Sequence, residues 1–372
     1  MENGSALKVL LVAEGSGGHL IPALQVAKVL AKSGARIKVW YAQRQQMASL
    51  ADALVQETGD GLMDVNAIAT DASRSLLGRL WQCGQLWHRA QRCFDTFSPD
   101  VVVGFGGWIS APIVLAARRQ RIGCVLHEQN VVMGKANRWL APWVDRVALS
   151  FPQAQASPRA PRALITGMPV RQTIGQPSRD QAARRFGLDP AHLTLLVLGG
   201  SQGSRALNRL MLETLPSWSA DERPGWQVIH LTGSADAHPV AAAYTQAGVT
   251  AWVAPYLVEM DAAYAQTDLV VARAGASTIA ELAKCGKPAL LIPYPYAGGH
   301  QRANARLVET IGGGLMLEEC EAHPDRLMGA FRCLLADARL RAIMGAQMHT
   351  LHCDDAAERL MQAITEVARL HE

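Results

Sequence analysis

Along the chain, short apolar runs alternate with longer stretches in which apolar residues recur every three or four positions. Runs near 8–13, 36–41, 62–69, 100–105, 122–127, 145–149 and 162–166 read as strands. Stretches near 20–33, 43–56, 74–97, 110–120 and 133–141 read as helices. A segment rich in Pro, Arg and Gln, Met168 to Asp180, interrupts this pattern as a linker. Strand-like runs resume near 193–198, 226–231, 250–253, 268–272, 289–292 and 315–318. Roughly 354–370 forms one amphipathic helix with Ala357, Leu360, Met361, Ile364 and Val367 on its apolar side. The alternation predicts an α/β protein of two similar halves, each a doubly wound parallel sheet. Ligands of such sheets sit beyond the carboxyl ends of the strands, which places the expected site in a cleft between the halves.

Composition narrows the picture. The 372 residues suffice for two domains, and 49% hydrophobic against 18% charged residues describes a folded chain. The net charge of +4 comes without a long Lys/Arg block, so nucleic acid is not an expected partner. Seven cysteines with no Cys-x-x-Cys pair read as reduced thiols of a cytoplasmic protein. No basic segment precedes the first apolar run, which argues against a signal peptide. The uncharged stretch Val101 to Ala117 is broken by Gly104, Gly106, Gly107 and Pro112, and reads as strand, turn and helix rather than a membrane span.

Two glycine-rich turns, Gly15-Ser16-Gly17-Gly18-His19 and Gly199-Gly200-Ser201-Gln202-Gly203-Ser204, each join an apolar strand to an amphipathic helix. Glycines let a backbone approach a phosphate closely, and the helix N-terminus behind them offers unpaired N–H donors. His19 is a candidate general base or phosphate donor, or a histidine that only satisfies its own turn. A third turn, Gly104 to Ser110, adds Gly106 and Gly107 as a candidate pyrophosphate site, or as tight strand–helix packing.

Leu126-His127-Glu128-Gln129-Asn130 places polar residues immediately after a strand. Either His127 or Glu128 offers a proton-transfer group there and Asn130 a sugar or amide contact, unless the cluster is ordinary surface polarity. In the second half, Arg273 to Glu281 opens a helix with small residues through Thr278. Glu281, one turn in, suits the two hydroxyls of a ribose, or serves the helix dipole. Gln301, after Gly298-Gly299-His300, supplies a donor and an acceptor for sugar hydroxyls. No Asp-x-Asp is present. Leaving-group charge is therefore expected to be offset by helix N-termini, backbone N–H groups and Arg171, with no metal or other cofactor. Ser73 to Phe97 mixes Arg74, Arg79, Arg89 and Arg92 with Leu76, Leu77, Leu80, Trp81, Leu86 and Trp87. That pattern fits a helix on an anionic bilayer surface, or one burying its stripe on the sheet.

The order and spacing of Gly17-Gly18-His19, His127 to Asn130, Pro169-Val170-Arg171, Gly199 to Gly203 and the 273–281 string resemble the MurG family, from Leu7 to about Leu317. That family comprises the N-acetylglucosaminyltransferases that convert lipid I to lipid II at the cytoplasmic face of the bacterial inner (plasma) membrane. The resemblance implies a GT-B fold, two Rossmann-like domains facing across a cleft. Residues 1–168, with 352–372 packing back, would form the acceptor and membrane-facing domain, and 169–351 would bind UDP-GlcNAc. Ser201 and its loop would meet the donor phosphates and Leu257 the uracil. Ala276, Ser277, Thr278, Ile279, Ala280 and Glu281 would cradle the nucleotide, with Glu281 on the ribose and Gln301 on the GlcNAc. Ser16, Gly17, Gly18, Asn130 and Arg171 match donor-site positions of the family. The lipid I pyrophosphate would lie near Gly106 and Gly107.

Inverting attack by the muramyl 4-hydroxyl needs a base, His19 or alternatively Glu128. The resemblance strengthens the membrane reading of helix 73–97, and makes cell-wall assembly proteins further expected partners. The chain departs from the family pattern with Glu14 for Gly, Met168 for Asn, and Ser277 for a larger apolar residue. Glu14 adds a negative charge near the pyrophosphate position. Competing readings are a GT-B transferase with another lipid acceptor, a UDP-GlcNAc 2-epimerase, and a non-catalytic nucleotide-sugar sensor or scaffold. A dehydrogenase fits worst, since Leu20 stands where its glycine fingerprint needs the third Gly.

Overall fold

The computed structural model describes residues 6–43, 63–69, 76–152, 163–200, 202–218, 225–296 and 298–371. The helix predicted over 43–56 lies, Gln43 apart, outside them. Two compact units emerge: Met1–Val170 with Cys353–Glu372, and Arg171–His352.

In the first unit, β1 (Lys8–Glu14), β2 (Arg36–Gln43), β3 (Met63–Ala69), β4 (Val101–Gly104), β5 (Gly123–Glu128), β6 (Arg146–Leu149) and β7 (Ala163–Ile165) form one parallel sheet of order 3-2-1-4-5-6-7. The central strands are apolar on both faces because helices cover both, as a parallel sheet requires. Val9, Leu11 and Ala13 of β1 face one core with α1 (Gly17–Lys32). Leu10 and Val12 face another with α2 (Leu76–Phe97), α3 (Ser110–Arg119) and α4 (Lys135–Leu140). The C-terminal helix Ala356–Leu370 buries Leu360, Ile364 and Val367 in the α1 core, so the chain's last element completes its first domain. The strand predicted over 122–127 runs on to Glu128, which places His127 and Glu128 at the end of β5 rather than in the loop after it.

The second unit repeats the plan. Its sheet contains β8 (Leu193–Leu198), β9 (Trp226–Leu231), β10 (Thr250–Ala254), β11 (Leu269–Ala272), β12 (Ala289–Leu291) and β13 (Gly314–Met316), in the order 10-9-8-11-12-13. The expected linker is less free than its composition implied. Met168 and Pro169 are buried in the first unit, and Arg171 and Ile174 in the second. At Ser178 a capping box with Gln181 already starts α5 (Arg179–Phe186), a helix absent from the sequence reading.

Each unit buries a neutral histidine. His127 lies between the Gly167 carbonyl, Ser150 and Gln129. His230 lies between Asn208 and Tyr244. Burial lowers His127 to about 4 and His230 to about 3. With folded values below the unfolded ~6.5, the unfolded chain binds more protons between those limits. Stability is therefore full above about pH 6.5 and falls as pH drops toward 4. Urea midpoints should decrease steadily between pH 7 and pH 5, and H230Q should flatten that slope.

Candidate active site

Strand order reverses at β1/β4 in the first unit and at β8/β11 in the second, the crevices where open α/β sheets bind ligands. At the first crevice the Gly15–His19 and Gly104–Ser110 turns converge. The half-buried His19 ring holds Ser16 Oγ at 2.7 Å through Nδ1. Gly106, with φ +86°, packs so closely that a Cβ there would lie 3.3 Å from His19 Cδ2. Gly107 has φ +81°, and the Glu14 side chain fills the space where its Cβ would stand. The Glu14 carboxylate accepts the Trp108 N–H at 3.3 Å, so the departure at Glu14 braces the second turn and takes one of its anion donors. Gly17 and Gly18 open α1 itself.

Glu128 is 1% exposed and fully engaged. One oxygen accepts the Asn130 N–H (2.9 Å) and side-chain amide (3.1 Å), the other the Gly134 N–H (2.9 Å) and the Asn137 amide (2.8 Å). Four donors fill a carboxylate's acceptor positions. Its geometry is that of a brace for the loop between β5 and α4. His127 is equally enclosed, and neutral. Asn130 is partly exposed beside this brace, and its side-chain amide is already directed at Glu128.

At the second crevice, Ser204 caps α6 (Arg205–Thr214) and accepts both Nε (3.1 Å) and Nη2 (2.8 Å) of Arg273. Arg273 is 7% exposed, also donates to the Ile292 carbonyl (3.1 Å), and pairs with Glu319. It ties the ends of β8, β11 and β12 together. Ser201 lies outside the described residues. Gly203 (φ +73°) passes so near the Thr232 carbonyl that a Cβ would come within 2.0 Å of it. After α7 (Ala237–Gln246) and α8 (Met260–Gln266), Ala276 to Glu281 form the first turns of α9 (Ala276–Cys285), with Ala276, Ile279 and Ala280 buried. Thr278 is half-buried beside Gly275. The Ser277 hydroxyl is buried and has no hydrogen-bond partner among the described residues, leaving a donor in the first turn.

Arg171 and Glu281, 110 positions apart, form a buried ion pair at 3.2 Å. Arg171 also donates to the Val258 carbonyl, adjacent to half-buried Leu257. Glu281 accepts the Tyr264 hydroxyl at 2.8 Å, and burial, then the adjacent carboxylate, hold that phenol well above its ordinary value. Leu257, Arg171 and Glu281 are thus one cluster, with half of the Glu281 acceptor capacity already used. On α10 (His300–Thr310), Gln301 Oε1 accepts the Tyr294 N–H at 2.9 Å, which leaves the amide NH2 as its outward group.

The sequence matches the glycosyltransferase family 28 N-terminal domain over residues 9–149 and its C-terminal domain over 194–360. It is 38% identical over 366 residues to the UDP-N-acetylglucosamine–N-acetylmuramyl-(pentapeptide) pyrophosphoryl-undecaprenol N-acetylglucosamine transferase of Nitrosococcus oceani, covering 98% of this chain and 99% of that one. The chain belongs to glycosyltransferase family 28. Acinetobacter baumannii MurG superposes with a TM-score of 0.74 at 26% identity, over 97% of this chain and 99% of that one. A putative UDP-N-acetylglucosamine 2-epimerase from Listeria monocytogenes shares the fold (TM-score 0.72, 13% identity, 98% and 96% covered). The two parallel sheets are those of a GT-B fold.

In this family 28 chain the fold sets Gly106 against the His19 ring. The sequence pattern did not point to Arg273 as a brace or to Asn137 as the partner of Glu128. The available signal for Arg273 was a lone cation directly after a strand, in a string otherwise made of small residues. Asn137 carried none.

Proposed function

We propose that the chain transfers N-acetylglucosamine from UDP-N-acetylglucosamine to the muramyl 4-hydroxyl of lipid I, with inversion, forming lipid II. What carries the reading is a likeness spanning 98% of the chain to a transferase of that printed activity, together with a positioned imidazole at the first unit's crevice. The muramyl oxygen bonds to the anomeric carbon as the bond to the UDP oxygen breaks, and UDP departs with the electron pair. The hydroxyl proton goes to His19. In the tautomer whose Nδ1–H donates to Ser16 Oγ, 2.7 Å away, the basic lone pair is on Nε2. Arg171, Ser277, Glu281 and Gln301 supply a cation, a hydroxyl, a carboxylate and an amide for the donor, with Leu257 against the base. The N-termini of α6 and α9 offset the phosphate charge.

The acceptor pyrophosphate is assigned to the Gly106–Gly107 turn, and the membrane contact to the start of α2, where Leu80 and Trp81 are 60% and 65% exposed. The rest of that apolar stripe is structural: Leu86 is buried and Trp87 packs against the core, while the side chains of Leu76 and Leu77 lie outside the described residues. Among the described residues no helix is long and apolar enough to cross a membrane. The reading is of a peripheral protein at the cytoplasmic face.

The test is transfer of labelled GlcNAc to a lipid I analogue in EDTA. Lipid II formation supports the reading, and donor binding without transfer to lipid I rejects it. A second result is expected from Glu14, whose charge sits on the acceptor turn. E14Q keeps an oxygen for the Trp108 N–H and removes the repulsion, so the acceptor KM should fall about 3-fold, on the scale of ~1 kcal/mol for a screened charge pair. An unchanged or higher KM would move the pyrophosphate elsewhere.

A further inference from the structure

Beside the second glycine turn lies a cleft of about 790 Å³, bounded by the carboxyl end of β3, one flank of α2, and Trp108. Along α2 its wall is Gln82, Gln85, Arg89 and Arg92, at the spacing of one helix flank, with Ile68 and Trp108 supplying apolar surface. Gln85, Arg89 and Arg92 are exposed, and the Arg89 guanidinium is steadied 5.3 Å over the Trp40 ring. The neighbouring acidic residue of β3, Asp64, is paired with Lys38 at 2.6 Å, a contact that lowers its pKa. Arg89 and Arg92, two of the four arginines of the 73–97 helix, both line this cleft.

We infer that the cleft is a subsite for the peptide stem of the acceptor, an extended anionic peptide whose carboxylates pair with Arg89 and Arg92 and whose amides meet Gln82 and Gln85. The inference rests on the functional reading above, which puts the acceptor pyrophosphate on the turn that Trp108 adjoins. Size agrees. Ten helical positions from Gln82 to Arg92 span about 15 Å, and five extended residues reach about 17 Å. Chemistry agrees as well: two guanidiniums and two amides suit carboxylates and peptide groups. A polyprenyl chain would leave all four unsatisfied, and a lone phosphate would fill a fraction of the length.

The test compares two water-soluble muramyl pyrophosphoryl acceptors in detergent, one with the pentapeptide and one truncated to a lactyl methylamide. The enzymes are wild type, R89Q/R92Q and Q85E, the last keeping both arginines. The expected result is a kcat/KM loss of about 10-fold or more for both variants on the peptide acceptor. On the truncated one the loss should be under 2-fold, with unchanged thermal midpoints and donor KM. Equal losses on both acceptors, or none, overturn the subsite. Losses confined to acceptor in anionic vesicles would assign the arginines to lipid headgroups and overturn it too. Wild type inactive on both acceptors would refute the functional reading itself, and the subsite with it.

Discussion

Replacing His19 by alanine should lower kcat by ~10²- to 10⁴-fold, the usual contribution of a positioned general base. UDP-N-acetylglucosamine affinity should stay within about 2-fold, because Arg171, Ser277, Glu281 and Gln301, the side chains proposed to hold the donor, belong to the Arg171–His352 unit. The reason for a large effect is local. Ser16 Oγ holds Nδ1 at 2.7 Å and the Gly106 backbone lies against the ring edge, so the ring's orientation is set before substrate arrives. S16A should therefore cost less, about 10-fold, because it frees the ring without removing it. Steady-state transfer at saturating acceptor, with the pH profile of each variant, decides the matter. An H19A enzyme retaining most of its kcat would remove His19 from the chemistry. Glu128 is a poor replacement, since its carboxylate already accepts four hydrogen bonds.

The second large effect is expected at Arg171. R171A should destabilise the protein by ~3 kcal/mol, because it leaves the Glu281 carboxylate buried without its cation. Both side chains are less than a tenth exposed, so solvent screening relieves little of that cost. E281Q should be milder, since an amide oxygen still accepts the Tyr264 hydroxyl while Arg171 retains the Val258 carbonyl. The double variant R171A/E281Q should recover part of the R171A loss, with a coupling of ~1 to 3 kcal/mol in a urea-unfolding cycle. The donor KM should rise at least 10-fold in R171A, as Leu257, Arg171 and Glu281 move together. A loss below ~0.5 kcal/mol with unchanged donor KM would make residues 168–180 the plain linker their composition suggested.

Much of this protein was legible from local pattern. The thirteen apolar runs became the thirteen strands of the described residues, most clearly at the sheet centres, where a strand buried on both faces must be apolar throughout. The glycine turns were legible for a similar reason. Only glycine tolerates φ near +80° with another side chain or carbonyl in the place of its Cβ, as at Gly107 and Gly203. Amphipathic period likewise identified the helix near 354–370, whose buried Leu360, Ile364 and Val367 follow it.

What the side chains do at those turns was decided by tertiary structure. Only the fold brings Gly134 and Asn137 against Glu128. Arg171 reaches Glu281 from 110 positions away. Arg89 and Arg92 come to line one cleft with Ile68 and Trp108. Hydrophobic period is a property of neighbouring residues and survives without the fold. A hydrogen-bond partner or a desolvated charge pair depends on segments far apart in the chain, and in this protein those partnerships divide the bracing residues from those that carry chemistry.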